Sequence, residues 1–445
     1  MSQLSSHDDV VVLGAGMAGF GAVYALAQRG TRARLYEGRE GVGGHTSTHF
    51  YSDGFAFDEG PHISFTKNTR IQDLLAKGIG GEYETLRAYV NNYWRGYWIK
   101  HPAQINLHGL PAELVVDIIK DFLDVNAIEE PEIRNYEEWL VAAYGRTFAT
   151  TFPMEYTKKY HTTDAKNLTT DWLGPRLYRP TLDQLLLGVL RPETPDVHYI
   201  DHFRYPRAGG FVAYLEQFKS LADIHTSHRV VAIDPGAKVV RFANGQSADY
   251  QALVSSIPLP ELIPMIDGAP GDVVEAAEML AASQVVLVNV GLNRVPDSRA
   301  QWTYFYDEDI CFSRLSFPSS FAGSMAPKGY GSMQAEVYFS KKWKPMSGRP
   351  EDWIEPTIDG LLQCGLIKDR GEVVHTSTLF APYANVIFDH DRQKSLATVH
   401  GYLDAVGVQY CGRYGDWSYI WTDESFISGE EAARRSLGEE SNSAQ

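Results

Sequence analysis

Three glycines and one acid carry the first legible chemistry in this chain. Gly14, Gly16 and Gly19 stand as G-x-G-x-x-G directly after the apolar run Val10–Leu13. In that pattern the first glycine makes a tight turn and the second lets the backbone approach a pyrophosphate. The third lets helix and strand pack closely. Free N–H groups and the dipole at a helix start hold phosphates. Glu37, 23 residues past Gly14, suits a bidentate grip on a ribose diol and would repel a 2′-phosphate. A bare glycine pattern of this kind can be an ordinary turn, so the elements around it decide. Val10–Leu13 is short and apolar enough for a buried strand. Ala22, Val23, Ala25 and Leu26 recur at helical spacing until Gly30, and Arg34-Leu35-Tyr36 reads as a second strand with Glu37 at its end. Together these predict a dinucleotide site.

A second glycine loop, Gly41-Val42-Gly43-Gly44-His45-Thr46, follows and could approach the same pyrophosphate. It resembles the segment after the first βαβ unit in two-domain FAD oxidoreductases of the amine-oxidase and sugar-mutase type, which implies FAD rather than NAD. His62 sits in the turn Gly60-Pro61-His62-Ile63 soon after that loop. It is a candidate flavin neighbour, against the default of a structural histidine.

At 445 residues the chain is long for one core, and two or three domains are expected. A hydrophobic content of 44% with 22% charged residues is globular composition. The net charge of −16 argues against nucleic acid or an anionic membrane as the main partner. There is no 18-residue apolar run, and Met1–Asp9 lacks a basic stretch followed by an apolar one. Cys311, Cys364 and Cys411 are odd in number and widely spaced, which fits a reducing cytoplasm without a disulfide framework or a zinc site.

The elements that must position these residues follow in order. The chain from Tyr89 to His108 is aromatic and extended, and Pro111 starts an amphipathic helix carrying Leu114, Val115, Ile118, Ile119 and Phe122. A further helix follows Thr181, and residues 76–200 read as a mainly helical insert. Arg229–Ile233 (with Val231), Val239–Phe242 and Ala252–Ile257 form a strand series with Asn244-Gly245 as a hairpin turn. Gln284–Leu292, Gly331–Phe339 and Val373–Leu379 predict a mostly antiparallel sheet, and a last helix runs from about Ser425 through Arg435. The expected division is 1–75 and 201–265 for the dinucleotide domain, 266–395 for a substrate domain and 396–445 for a closing segment.

With those landmarks in place, the chain resembles the UDP-galactopyranose mutase family from Val10 to about Ala433. Gly60-Pro61-His62-Ile63 is similar to the family's glycine–x–histidine turn, and Trp98 through Asn106 resembles its "PYPFQNN" segment. Trp139 through Trp172-Leu173-Gly174-Pro175-Arg176 resembles the insert that ends in a diphosphate-holding arginine. Tyr304 and Arg314 are spaced as the family's tyrosine and second diphosphate arginine are. Tyr383 and Tyr419 resemble two phosphate-contacting tyrosines, Arg413 a flavin-contacting arginine, and Asp423-Glu424-Ser425-Phe426 the turn that caps the isoalloxazine. Arginine supplies the always-charged, bidentate donors that a diphosphate needs.

The resemblance implies an α/β fold: a Rossmann-like FAD-binding domain of glutathione-reductase type, with a helical insert and a mixed-sheet substrate domain. It implies FAD contacts from Gly14, Gly16, Met17, Ala18, Gly19 and Glu37, from Gly43, Gly44, His45, Thr46 and His62, and from Val231, Arg413, Tyr419, Asp423 and Ser425. It implies substrate contacts from Gln104, Asn106, Tyr156, His161, Arg176, Tyr304, Arg314, Tyr383 and Tyr419. His62, Arg176 and Arg314 would serve the reaction itself. That reaction would be a nucleotide-sugar pyranose/furanose isomerisation, with N5 of reduced FAD attacking the anomeric carbon and no net redox. NAD(P)H or another reductant would keep the flavin reduced. Two departures bear on the substrate: His161 stands where the family has a tryptophan, and His45 where many relatives of the wider fold have arginine. A true FAD oxidoreductase of the amine-oxidase or protoporphyrinogen-oxidase type is the main rival, and a sugar-nucleotide binding protein with structural FAD is a third reading.

Overall fold

The computed structural model describes residues 10–127, 132–174, 177–197 and 200–439. Val10–Leu13 lies inside a five-stranded parallel sheet, ordered Val408–Tyr410, Ala252–Ser255, Val10–Leu13, Arg34–Tyr36, Asp223–His225. Alternate residues of this strand face opposite layers. Val10 and Val12 join a core with Phe20, Phe218 and Phe426, while Val11 and Leu13 join another with Leu253, Leu262 and Leu403. Both faces are covered, so the strand reads as an unbroken apolar run.

The first helix, Met17–Ala27, packs along the last, Thr422–Ser436. A Cβ on Gly21 would overlap the Phe426 backbone, and one on Gly429 would overlap the Ala18 carbonyl. Glycine at both positions lets the two backbones touch. The other face carries the hairpin series Val230–Asp234, Val239–Phe242 and Ser247–Asp249, turning at Asn244-Gly245 as expected, and the helices Gly271–Met279 and Arg392–Val406.

A second, seven-stranded mixed sheet runs Val373–Ala381, Ser283–Leu292, Gly331–Ser340, Arg314–Ser316, Trp302–Phe305, Val90–Trp94, Tyr97–Lys100. The three long strands expected from the sequence pair antiparallel. The reading of residues 76–200 as a mainly helical insert needs correction at its start. Val90–Trp94 and Tyr97–Lys100 extend this sheet, and Tyr83–Arg87 pairs with His202–Pro206. Aromatic and β-branched residues there pack on a sheet contributed by distant chain, a tertiary effect that outweighs local pattern. The helical part proper begins at Ala112–Asn126, after Pro111. It continues through Tyr136–Tyr144, Arg146–Thr151, Pro153–Tyr160 and Leu182–Leu190, the last started by a Thr181/Gln184 capping box. Among the described residues no helix is long and apolar enough to cross a membrane.

Candidate functional site

One cavity of about 910 Å³ opens where the parallel sheet, the mixed sheet and the helical part meet. One end is the dinucleotide motif. Gly14, with φ of 96°, makes the turn out of the first strand, and its N–H donates to the Tyr36 carbonyl at 2.8 Å. A Cβ on Gly19 would overlap the Gly14 carbonyl, so Gly19 serves helix–strand packing rather than the cavity lining. Gly16, Met17 and Ala18 line the cavity at the start of the first helix, where first-turn N–H groups lack intrahelical acceptors. Glu37 is buried, with Oε2 accepting from the Ala15 N–H at 2.8 Å and Oε1 from the Arg39 N–H at 2.9 Å. The acid is thereby aimed and held. The second glycine loop is stitched to the first, since the Gly43 N–H donates to the Ala15 carbonyl at 2.8 Å.

Next along the wall come His45, Thr46 and Glu59 through Ile63, facing Arg413, Tyr414 and Tyr419. The Gly60 carbonyl lies 2.9 Å from His62 Nδ1, so that nitrogen carries the proton and Nε2 is left as an acceptor. Burial, then the Arg413 charge, lowers the His62 pKa to about 4, and burial lowers that of His45 to about 4. Both are neutral at pH 7. The Arg413 guanidinium donates to the carbonyls of Ile420 (2.7 and 3.0 Å) and Ala384 (3.2 Å) and stands over the Tyr419 ring.

The opposite wall is the mixed sheet, whose register aligns Tyr304, Arg314 and Glu336 on three neighbouring strands. Arg314 Nε donates to Glu336 Oε1 at 2.6 Å, and the Tyr338 hydroxyl donates to Glu336 Oε2. Glu336 is buried in Gly331–Ser340, a strand buried along its whole length. Burial disfavours the Arg314 charge most, but Glu336 together with Tyr338, Tyr160 and Tyr156 outweighs it and holds the guanidinium protonated. The two terminal guanidinium nitrogens have no protein partner among the described residues. Tyr156 and Tyr160, one turn apart on Pro153–Tyr160, complete this wall. Their rings stack at 5.3 Å, Tyr156 meets Tyr304 edge-on at 5.3 Å, and the Tyr160 and Tyr419 hydroxyls are 2.8 Å apart. The result is one cation, backed by one carboxylate and ringed by phenol hydroxyls. That arrangement can bind a phosphate group through charge-assisted hydrogen bonds. Gln104, tied to the Tyr178 carbonyl at 2.8 Å, lines the far end with Tyr136 and Tyr144.

Most sequence-predicted residues thus share one cavity; several do not. Asn106 is buried outside the wall, donating to the Pro102 carbonyl at 2.8 Å and accepting from Thr194. Val231 is half exposed, and its neighbour Val230 lines the cavity instead. Asp423 is off the lining, because Asp423-Glu424-Ser425-Phe426 forms the first turn of the last helix rather than a loop; Ser425 does line it. Tyr383 contributes to the lining from a mostly buried position against Tyr414 and Trp417. Arg176 lies outside the described residues. Sequence reasoning missed Glu336, Tyr338, Tyr160 and Tyr414. The lone acid two residues before Tyr338 in an otherwise uncharged strand was the available signal for the first two.

Three histidines held neutral by desolvation, His161 buried and His45 and His62 partly so, have a measurable consequence. His45 and His62, near 4, and His161, lowered by burial to about 3, all lie below the ordinary 6.5. The unfolded chain therefore binds more protons as pH falls below 6.5, and stability is lost from there towards pH 4. Asp58 and Asp416, raised by burial from 3.8 to about 6, act in the opposite sense, since the fold binds more protons as pH falls through 6. The three histidines outweigh the two carboxyls. The melting temperature of the ligand-free protein should fall between pH 6.5 and 4, and the fall should be shallower in His45→Gln. Equal slopes would show that His45 is not held neutral.

Comparison with known proteins agrees with this anatomy. Residues 12–77 match the model of an NAD(P)-binding Rossmann-like domain. L-amino-acid oxidase of Naja atra is 31% identical over 122 residues, covering 25% of this chain and 24% of that protein. 4,4'-Diaponeurosporene oxygenase of Staphylococcus aureus (strain USA300) is 43% identical over 54 residues, covering 12% and 11%. The chain thus spans about a quarter or less of the length of the curated relatives it matches. Solved structures extend the likeness over the whole chain. A reduced UDP-galactopyranose mutase superposes with a TM-score of 0.90 at 24% identity, covering 97% of this chain and 95% of that one. A putrescine oxidase bound to putrescine gives 0.63 at 15%, covering 97% and 99%. The chain therefore has the fold of UDP-galactopyranose mutase, built on an N-terminal Rossmann-like dinucleotide-binding unit.

Proposed function

We propose that the protein is a flavin-dependent nucleotide-sugar pyranose/furanose mutase. The observation that carries this reading is Arg314, backed by buried Glu336 and ringed by tyrosines, in the same cavity as the two glycine loops. An amine such as putrescine brings no anion to such a group, whereas a nucleoside diphosphate does. The residues present fit FAD. Two interlocked glycine loops, a buried acid held at the end of the second strand, and a neutral histidine facing Arg413 furnish its phosphates, ribose and ring with partners. Gly14, Gly16, Met17 and Ala18 would hold the pyrophosphate, Glu37 the ribose, and His62 with Arg413 and Tyr419 the ring end. When bound and reduced, FAD supplies an electron-rich nitrogen nucleophile for the anomeric carbon, with no net redox.

The chain's own share is binding and charge. Arg314, with Tyr304 and Tyr419, receives the diphosphate and stabilises the negative charge that grows as the anomeric bond breaks. His62, protonated on Nδ1, offers Nε2 only as an acceptor and so orients without delivering a proton at neutral pH. Arg176 would add a second cation, and NAD(P)H or another reductant would serve the flavin.

The test is turnover of a panel of UDP-, dTDP- and GDP-sugars by dithionite-reduced and by oxidised protein, with reductant consumption followed. The reduced protein alone should isomerise a nucleotide sugar, consuming reductant far below one per product. One donor or one oxygen consumed per product would instead establish an oxidase like the putrescine oxidase that shares the fold.

A further inference from the structure

The mixed sheet carries a polar row beside the Arg314–Glu336 pair. Ser316, Gln334, Asn289 and Ser377 stand in register across four neighbouring strands, on the face that also carries Arg314 and Glu336. Gln334 is 1% exposed and Asn289 is fully buried. Burying two amides is costly unless their hydrogen bonds are made, and here one backbone carbonyl orders them. The Asp58 carbonyl can only accept, so the Gln334 atom 2.8 Å from it is Nε2. The second Nε2 hydrogen goes to Asn289 Oδ1 at 2.8 Å, which turns Asn289 Nδ2 towards Ser377 Oγ at 3.1 Å. Ser377 Oγ lies 3.0 Å from His375 Nε2, and His375 Nδ1 lies 2.7 Å from Asp53 Oδ2. The row therefore runs from the edge strand Val373–Ala381 to the residue that leads into the His62 turn.

Asp58 is gripped from two directions. Its carboxyl accepts from three donors outside the mixed sheet: the Thr48 and Tyr205 hydroxyls, each at 2.6 Å, and the Phe211 N–H at 3.2 Å. Its carbonyl accepts from Gln334 and from the Gly60 N–H at 2.8 Å, and the Gly60 carbonyl in turn accepts from His62 Nδ1. Gln334 thus reaches His62 through a short run of backbone bonds. Along its own strand it stands two residues before Glu336, the acid behind Arg314, a rise of roughly 7 Å. We propose that Gln334 is a positioning residue, whose amide sets the His62 turn, and with it the flavin end of the cavity, at a fixed distance from Arg314. The inference rests on FAD filling the cavity as read above, and not on which reaction the flavin serves.

The test compares the wild-type protein with Gln334→Met and Ser377→Ala. Methionine keeps the length of the side chain and removes both donors. Ser377→Ala breaks the same row on its far side: Asn289 Nδ2 loses its acceptor, while Gln334 keeps both of its bonds. Each variant buries an unmatched polar group, so both should melt below the wild type in the absence of flavin. Titration of the flavin-free proteins with FAD, well below their melting temperatures, separates position from stability. Gln334→Met should bind FAD about 2- to 12-fold more weakly, the range for one net hydrogen bond no longer holding the turn in its binding-competent place. The visible absorption band of its bound oxidised flavin should shift, because the groups around the ring have moved. Ser377→Ala should match the wild type in FAD affinity and in spectrum. Wild-type affinity and spectrum in Gln334→Met overturn the assignment while FAD binding stands. Equal flavin effects in the two variants overturn it too, since they would follow from destabilisation alone. A wild-type protein that binds no FAD overturns the flavin reading, and this inference with it. If Gln334→Met does not fold, Gln334→Glu takes its place, having the same size and able to donate at most one of the two bonds.

Discussion

Arg314→Lys should lower kcat/KM for nucleotide-sugar isomerisation by about 10- to 150-fold while leaving flavin content normal. The magnitude follows from one charge-assisted hydrogen bond of roughly 1.5–3 kcal/mol, at about 1.4 kcal/mol per decade. Lysine keeps the charge beside Glu336 and loses the planar fork, so it isolates the geometric part of the arginine's work. Alanine is the poorer probe. It would leave the Glu336 carboxylate, 1% exposed, without its cation, and breaking a buried pair from one side costs about 3–5 kcal/mol of stability. Arg314→Ala should therefore fall in both activity and melting temperature, and Arg314→Ala/Glu336→Gln should recover the melting temperature without the activity. Steady-state kinetics with reduced enzyme, flavin quantitation and thermal unfolding on the three variants check this. Full activity in Arg314→Lys, or lost flavin in it, would sink the diphosphate assignment.

The second large effect separates two glycines of one motif. A Cβ on Gly16 finds ordinary contacts, with the Gly44 Cα at 3.7 Å and the Gly43 carbonyl at 3.8 Å, so the ligand-free fold should accept Gly16→Ala. The added methyl would occupy the gap between the two glycine loops where a pyrophosphate must approach the backbone. Flavin affinity should drop by about 10- to 150-fold through the loss of one charge-assisted bond. Gly19→Ala should instead fail to fold, because its Cβ has nowhere to go but into the Gly14 carbonyl. Circular dichroism and flavin titration distinguish the two outcomes. A folded, fully yellow Gly16→Ala protein would contradict the site.

How far the sequence carries depends on how local each feature is. The dinucleotide motif is written in one strand, one turn and one helix, so spacing alone exposes it, down to Glu37. Arg314 was found through its resemblance to a family pattern, whereas Glu336 was missed. Their pairing is a register between two strands that no local signal reveals. Tyr83 through Lys100 fails in the opposite way: its pattern is extended, but Tyr83–Arg87 pairs with His202–Pro206 and Val90–Trp94 with Trp302–Phe305, each more than 100 residues away, so its sheet could not be seen. Asn106 carries an amide of the right type two residues past Gln104, which lines the cavity, but its side chain folds back on Pro102 and Thr194. Val231 fails by one residue for a simpler reason. Strand neighbours point to opposite sides, and Val230 faces in.

The parallel sheet has a bearing on how the protein is made. Its five strands come from residues near 10, 34, 223, 252 and 408, and the helix that opens the phosphate site leans on the one that ends at Ser436. During synthesis the glycine loops are made long before Thr422–Ser436, the helix that steadies them. Until Thr422–Ser436 has been made, the nucleotide-binding motif is without its support. A chain cut short before Thr422 should therefore lack that support and bind no flavin, which its absorbance would show.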